Sequence, residues 1–398
     1  MKALSGCRVL DLGIITAGAA TAALLVDFGA EVIKVEAPTF RDPFRRWLTE
    51  RPVAAPPDLP PFFRATNRGK SGVSLDLKHP RGREVFLALV ANSDIVLENF
   101  RRGVLEKLGL SFAALQAANP NIILASISSQ GETGPEAGYV SYGSTLEAVA
   151  GLAWATGYEN GEPMVSGVDL NYPDQVVALF AASMIVTAWR SRLKGGGGAH
   201  LDISQRELTS YLVGEAFAAT GAGHDSRSTG NAQPPHVVQD CFRSSDGAWL
   251  AVTVDSGQLT ALSALIEPGL EQRTPLELTD IVRRWVAVRP LSAAIESLQS
   301  QHIATAAVLK GAQVLEREGR IWTHALQRLP EGVMVKGFPL QFEHDPMTVS
   351  RDAPKIGADT ADVLRSVAKL SDADIEALRA AGIIELAAPT TPSEPANV

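Results

Sequence analysis

The segment Asn171-Tyr172-Pro173-Asp174-Gln175 holds the strongest candidate for chemistry in this chain. Pro173 cannot continue a helix from before it, and Asp174 directly precedes the apolar run Gln175-Val176-Val177-Ala178-Leu179-Phe180-Ala181-Ala182. That spacing places a carboxylate at a helix N-terminus, where unpaired backbone N–H groups and the helix dipole favour its ionised form. Two readings stay open at this level. Asp174 is a plain helix cap, which the local sequence favours, or it is a nucleophile able to form a covalent intermediate. Asp169, just upstream, competes by residue type and is read as structural. The seven histidines form no nucleophile or metal pattern, and no metal site is expected. His236 ends a stretch from Gly221 that is rich in Gly, Ser, Asn and Pro, so it is either a plain loop histidine or one that approaches a substrate.

Such groups need a scaffold, and the N-terminal pattern supplies one. Cys7 to Leu12 is a short apolar run, Gly13 to Gly18 a turn, Ala19 to Phe28 an Ala/Leu-rich stretch, and Gly29 to Glu36 a second apolar run. This is a strand-helix-strand unit, which crosses over right-handed and lays two parallel strands side by side. Ligands of open parallel sheets bind beyond the strands' carboxyl ends, so the Gly13–Gly18 loop is a candidate binding surface. With only Gly13 and Gly18 in that turn, the Gly-x-Gly-x-x-Gly fingerprint of dinucleotide binding is incomplete, which argues against a nicotinamide cofactor. Gly18 serves either close helix–strand packing or ligand contact.

The alternation continues. Ser71–Asp76, Ile95–Glu98, Asn121–Ile127 and His200–Ser204 read as strands, and Pro80–Ala91 and Ser111–Ala118 as helices, the first with Val85, Leu87, Leu89 and Val90 inward. Strands alternating with helices mean an α/β layered fold with a largely parallel sheet. Gly195-Gly196-Gly197-Gly198 must be a turn. Beyond it, Trp249–Val254 as a strand and Ile281–Gln301 as a helix suggest a smaller α+β domain. Ser371 starts a capped helix with Leu378 and Ala381 inward, ended by Gly382, and the Pro/Thr/Ser-rich 387–398 is expected to be a disordered tail.

Composition narrows the partners. A net charge of -8 argues against nucleic acid, which needs clustered positive charge. The two cysteines, Cys7 and Cys241, match no metal or redox spacing and are expected as free buried thiols in a reducing, cytoplasmic setting. The first residues lack the apolar region of a signal peptide. Val176–Trp189, the longest apolar stretch, falls short of the roughly 20 residues of a membrane span, so no membrane partner is expected.

Several segments in fixed order then carry a family resemblance: Val9-Leu10-Asp11-Leu12, Gly29-Ala30-Glu31-Val32-Ile33-Lys34-Val35-Glu36, Asn67-Arg68-Gly69-Lys70-Ser71, Leu75-Asp76-Leu77-Lys78, Glu98-Asn99-Phe100-Arg101, Gly131-Glu132-Thr133-Gly134-Pro135, Gly230-Asn231 and Ala353–Thr360. The chain resembles class III CoA-transferases, a family that includes formyl-CoA transferases, carnitine CoA-transferases, bile-acid-inducible F-type proteins and the related 2-methylacyl-CoA racemases. The resemblance covers essentially the whole chain. It implies a Rossmann-like large domain built from both chain ends (1–200 and 326–386), a linker at 201–225, a small domain at 226–325, and a homodimer threaded like linked rings.

The resemblance also implies roles. Asp174 matches the family's catalytic aspartate, which attacks an acyl-CoA thioester and passes through an acyl anhydride and an aspartyl-CoA thioester. Coenzyme A contacts fall on Thr16, Ala17, Leu75, Lys78, Asn99, Phe100 and Lys107, and the planar fork of Arg101 is suited to a phosphate. Tyr139, Gly230 and His236 are the candidate substrate contacts. Two departures stand out. Thr16 occupies the position of a glutamine found near the intermediate in formyl-CoA transferase. That enzyme's shielding glycine-rich loop has only a weak substitute here in Ser228-Thr229-Gly230-Asn231. Racemisation is the alternative activity, but its catalytic histidine falls on Tyr139, and a phenol of pKa about 10 is a poor base near neutrality. A third alternative, a CoA-binding protein without turnover, would have no use for Asp174. The partners implied are an acyl-CoA and a free carboxylic acid.

Overall fold

The computed structural model describes residues 2–46, 59–158, 162–167, 170–224, 228–317, 325–329, 332–340, 342–344 and 347–387. Asp169 and the tail expected at 387–398 lie outside them, except for residue 387. Two compact units emerge. Met1–Leu152, Val165–Gly214 and Thr323–Val398 form the first; Ala153–Met164 and Glu215–Trp322 form the second.

The first unit is organised by six strands: β1 (Arg8–Asp11), β2 (Glu31–Glu36), β3 (Ser71–Ser74), β4 (Ile95–Glu98), β5 (Ile123–Ser128) and β6 (Ala199–Ser204). They pair in the order β3-β2-β1-β4-β5-β6, every pair parallel. Successive side chains of a strand point to opposite faces, and the apolar runs show that here. Val9, Val32, Ile95 and Ile123 pack with the helix Ala17–Asp27 and the long helix Tyr172–Leu193. Leu10, Ile33, Val96 and Leu124 face the other way, onto Val85, Phe86 and Leu89 of the helix Pro80–Val90 and onto residues near the chain's end. Both faces of the sheet are covered, as a parallel sheet requires.

Residues 353–384 complete this unit. Asp359 accepts a hydrogen bond from Gly72 N at 2.7 Å and Thr360 Oγ1 one from Ser74 N at 3.0 Å, so β3 is held in place by chain nearly 300 residues downstream. Val363, Leu364, Ile375 and Leu378 fill the second core face. Ala381, expected inward, is exposed, because the helix Asp372–Ala380 stops before it and Gly382 turns the chain at φ +69°.

The helix Tyr172–Leu193 has 22 residues and a mean hydropathy of 1.4 over its apolar window, longer than the apolar run suggested. By length and composition it is the one helix among the described residues able to cross a bilayer. Here Val177, Ala178, Ala181, Ala182 and Ile185 are buried against the sheet and the first helix. The segment expected as a linker from 201 carries the end of β6 and a helix, Gln205–Tyr211, with Leu208 and Thr209 buried.

The second unit has an antiparallel sheet of β7 (Val238–Arg243), β8 (Trp249–Val254) and β9 (Ala304–Ala307), in that order. The helix expected over Ile281–Gln301 is two, Pro275–Ala287 and Leu291–Ser300, because Pro290 has no N–H to donate and restricts Arg289 before it. Of the cysteines, Cys7 is buried and Cys241 half-buried. Burial, and then Asp94, pushes the Cys7 thiol up to about 12, which makes it inert packing.

Candidate active site

Asp174 stands in the first turn of the helix Tyr172–Leu193 but does not cap it. The N-cap is Asn171, held in the left-handed region at φ 45°, where asparagine is among the tolerated residues, and its side chain makes no cap bond either. The helix start therefore leaves the Asp174 carboxylate free to look elsewhere. Its Oδ1 accepts a hydrogen bond from Gln205 Nε2 at 2.7 Å, and among the described residues no side chain or backbone donor reaches Oδ2. Beside Oδ2 lies the α-carbon of Gly143, where the helix Gly143–Val149 begins. A methyl group on Gly143 would sit 3.2 Å from Oδ2 and 2.9 Å from Asn171 Oδ1. The missing side chain is what leaves that oxygen room.

Electrostatics differ from the helix-dipole expectation. Burial pushes the Asp174 carboxyl up to about 6, and the Gln205 bond only partly opposes it. Among the described residues no cation pairs with the carboxylate, and a dipole at a helix start is worth less than desolvation. Near neutral pH the group is still ionised by about ten to one. The next residue is pinned too: Lys336 Nζ donates to Gln175 Oε1 at 2.7 Å.

The second element of the site is a cavity of about 130 Å³ beyond the carboxyl ends of β1, β2 and β3. It gathers three of the expected CoA contacts, Leu75, Lys78 and Phe100, with Leu12, Ile14 and Phe40. The walls are mostly apolar, and Lys78 supplies a cation. Thr16, Ala17, Asn99, Arg101 and Lys107 do not line it. Thr16 and Ala17 are buried at the start of the first helix, while Arg101 and Lys107 are exposed nearby in sequence. Asn99 ties β4 to the glycine turn, accepting from Ile14 N at 2.8 Å and donating to Ile14 O at 3.1 Å. Gly18 resolves as packing: a Cβ there would come within 2.8 Å of Gly13 Cα and 2.7 Å of Asn99 Oδ1. Glu98, at the end of β4, is pushed up to about 7 by burial despite bonds from Ser126 and Phe100 N.

Tyr139 is 63% exposed, and Ser129 Oγ donates to its carbonyl at 3.1 Å. Its loop is tied to the site from the side, since Arg206, next to Gln205, pairs with Glu136. Gly230 and His236 belong to the second unit. There Gly230 N donates to Gly157 O at 3.2 Å, and His236 Nδ1 lies 2.5 Å from Asp255 Oδ1. Sequence reasoning missed Gln205, Gly143, Ile14 and Phe40. Phe40 was marked only by being an aromatic just after a strand, and Gln205 only by following one.

A family model described as CoA-transferase family III matches residues 4–360. This chain belongs to that family. Among its relatives, the succinyl-CoA--L-malate CoA-transferase alpha subunit of Chloroflexus aurantiacus is 30% identical over 96% of this chain and 92% of its own. The succinate--glutarate CoA-transferase of Agrobacterium fabrum is 27% identical over 91% of this chain and 94% of its own. Among solved structures, a CAIB/BAIF family protein from Brucella suis superposes with a TM-score of 0.81 at 27% identity, covering 92% of this chain and 99% of that one. As a family III CoA-transferase, the chain has CoA thioesters as its substrate class, and the parallel sheet with a separate small antiparallel sheet is the family's fold.

Proposed function

We propose that this chain moves CoA from an acyl-CoA thioester to a free carboxylate, with Asp174 as the covalent nucleophile. The observation that carries this is the Asp174 carboxylate itself: partly desolvated and, among the described residues, without a cation, held at one oxygen by a neutral amide and open at the other. A carboxylate satisfied by a salt bridge would be a poor nucleophile; this one gains by leaving its charged state.

The layout fits a long substrate. The cavity lies over β1–β3, whereas Gln205 and the Asp174 carboxylate sit past the end of β6. From β1 to β6 the sheet steps three strand spacings, about 14 Å, a distance for an extended arm joining a nucleotide end to a reacting thioester. Leu75, Phe100 and Phe40 offer apolar faces to the nucleotide end, and Lys78, with Arg101 and Lys107 nearby, offers positive charge to its phosphates. Tyr139, Gly230 and His236 remain the proposed contacts for the acyl and carboxylate groups.

The names of the relatives point to succinyl-CoA as donor and small dicarboxylates such as malate, succinate and glutarate as acceptors. One relative is named as an alpha subunit and another as a beta subunit, so two-chain assembly with a related chain stands beside the homodimer as a form to test by sedimentation. The functional test is incubation with succinyl-CoA and a panel of carboxylates, following new thioesters by mass. Asp174→Ala should lose at least about four orders of magnitude in turnover while keeping CoA binding. Near-normal turnover by that variant would remove Asp174 from the mechanism. In deuterated water no label should enter at the carbon next to the thioester, and label without acyl exchange would mean racemisation instead.

A further inference from the structure

The partner of Asp174 has a chemical task of its own. Gln205 is 7% exposed and opens the helix Gln205–Tyr211 directly after β6. Three anchors fix it. β6 pairs with β5 through Ser128 and Ser204, Ser204 Oγ caps the helix by accepting from Glu207 N at 3.2 Å, and the Gln205 carbonyl accepts from Thr209 Oγ1 at 2.7 Å. The amide is thus presented to Oδ1 from a rigid sheet end rather than from a mobile loop.

Resting on the reading of Asp174 as nucleophile, we propose that Gln205 is the oxyanion donor for the two steps that occur at the aspartate's own carbon. In the first step, Oδ2 attacks the thioester carbonyl carbon, the carbon–sulfur bond breaks, CoA leaves as thiolate, and an anhydride bridged by Oδ2 remains. In the second, the thiolate attacks Cγ of Asp174, the Cγ–Oδ2 bond breaks, and the donor acid departs carrying Oδ2. The third step reverses the second, with an acceptor carboxylate attacking Cγ and expelling the thiolate. In the fourth, the thiolate attacks the acceptor's acyl carbon, releasing the new thioester and restoring the carboxylate. Steps two and three pass through a tetrahedral Cγ whose negative charge falls on Oδ1, the oxygen to which Gln205 already donates. Steps one and four place that charge on a substrate oxygen, where Gln205 has no reach.

A neutral amide suits this role better than a cation. It strengthens as charge gathers on Oδ1 without quenching the resting nucleophile, and Gly143 leaves the attacking oxygen clear. The division of labour is therefore within one carboxyl group.

The proposal is tested with succinyl-CoA alone, without acceptor, by following the CoA adduct on the Asp174 peptide by mass after rapid quench. Wild-type protein should form the adduct. Gln205→Leu, checked for unaltered folding and unaltered apparent KM for succinyl-CoA, should form it about 10²- to 10³-fold more slowly. Gln205→Glu, which keeps the shape, supplies a donor only when protonated. Its rate should pass through a maximum and fall by pH 7.5 as the introduced carboxyl ionises, whereas the wild-type rate rises to a plateau. An adduct formed at the wild-type rate by Gln205→Leu, or a wild-type pH profile in Gln205→Glu, would overturn the proposal and leave Asp174 as nucleophile. No adduct on the wild-type protein would overturn the nucleophile reading and this proposal with it.

Discussion

Two carboxylates in the same unit, Asp11 buried and Asp174 half-buried, have opposite surroundings. Asp11 ends β1 with 0% exposure, and its Oδ2 meets Lys70 Nζ at 2.7 Å while its Oδ1 accepts from Gly13 N at 2.8 Å. Around it Lys34 pairs with Asp42 at 3.0 Å and Arg45 with Glu36 at 2.6 Å, so three of the segments that carry the family pattern meet in one ionic knot under the glycine turn. Burial lowers Lys70 to about 8, with Asp11 resisting, and it stays charged at neutral pH. Among the described residues Asp174 has no such neighbour, only a neutral amide. The contrast separates a charge that holds shape from the one proposed to react: a compensated charge is structural, and an uncompensated one is available for bond making.

Three substitutions press on that contrast, the largest first. Lys70→Met leaves the Asp11 carboxylate buried without its cation and should cost about 3–5 kcal/mol of unfolding free energy, measured by urea titration. A cost under 1 kcal/mol would mean that the knot is not structural. Asp174→Asn should do the reverse. The folded carboxyl sits at about 6 against a reference of 3.8, so the folded state holds its proton more tightly and bears a penalty once ionised. That penalty is full above about pH 6 and fades as pH falls towards the unfolded value. The variant should therefore gain at most about 3 kcal/mol at pH 8 and almost nothing at pH 4, read from the same titration at both pH values. Equal stability at pH 8 would mean that Asp174 is not strained by its site. Gly143→Ala is the smallest change. Its methyl group would press on Oδ2 and on Asn171, and a displaced nucleophile should slow turnover about 10- to 100-fold with folding intact. Unchanged turnover would show that the oxygen facing Gly143 is not the attacking one.

Much of the scaffold was legible because it is local. β4 and β8 fall on Ile95–Glu98 and Trp249–Val254 as the apolar runs indicate, and Ser111 caps its helix as expected. The break at Pro290 was missed, because the periodic apolar run through it reads as one helix. Asp174 was marked by its motif, but its elevated pKa was not, since the sign depends on tertiary burial rather than on the helix start. Gln205 lies 31 positions away in sequence and meets Asp174 only once β6 has joined the sheet. Of the expected CoA contacts, Leu75, Lys78 and Phe100 share one cavity because three strand ends converge there, a convergence that spacing along the chain cannot express.

The return of residues 353–384 to β3 sets an order of events during synthesis. Val363, Leu364, Ile375 and Leu378 are the last to reach a sheet face whose strands are complete at Ser204. Roughly 180 residues must still be translated after β6, about 10–40 s at ordinary elongation rates. Through that interval the part of the sheet face not covered by the helix Pro80–Val90 stays open to solvent, and a stop codon anywhere in the second unit would leave it exposed permanently.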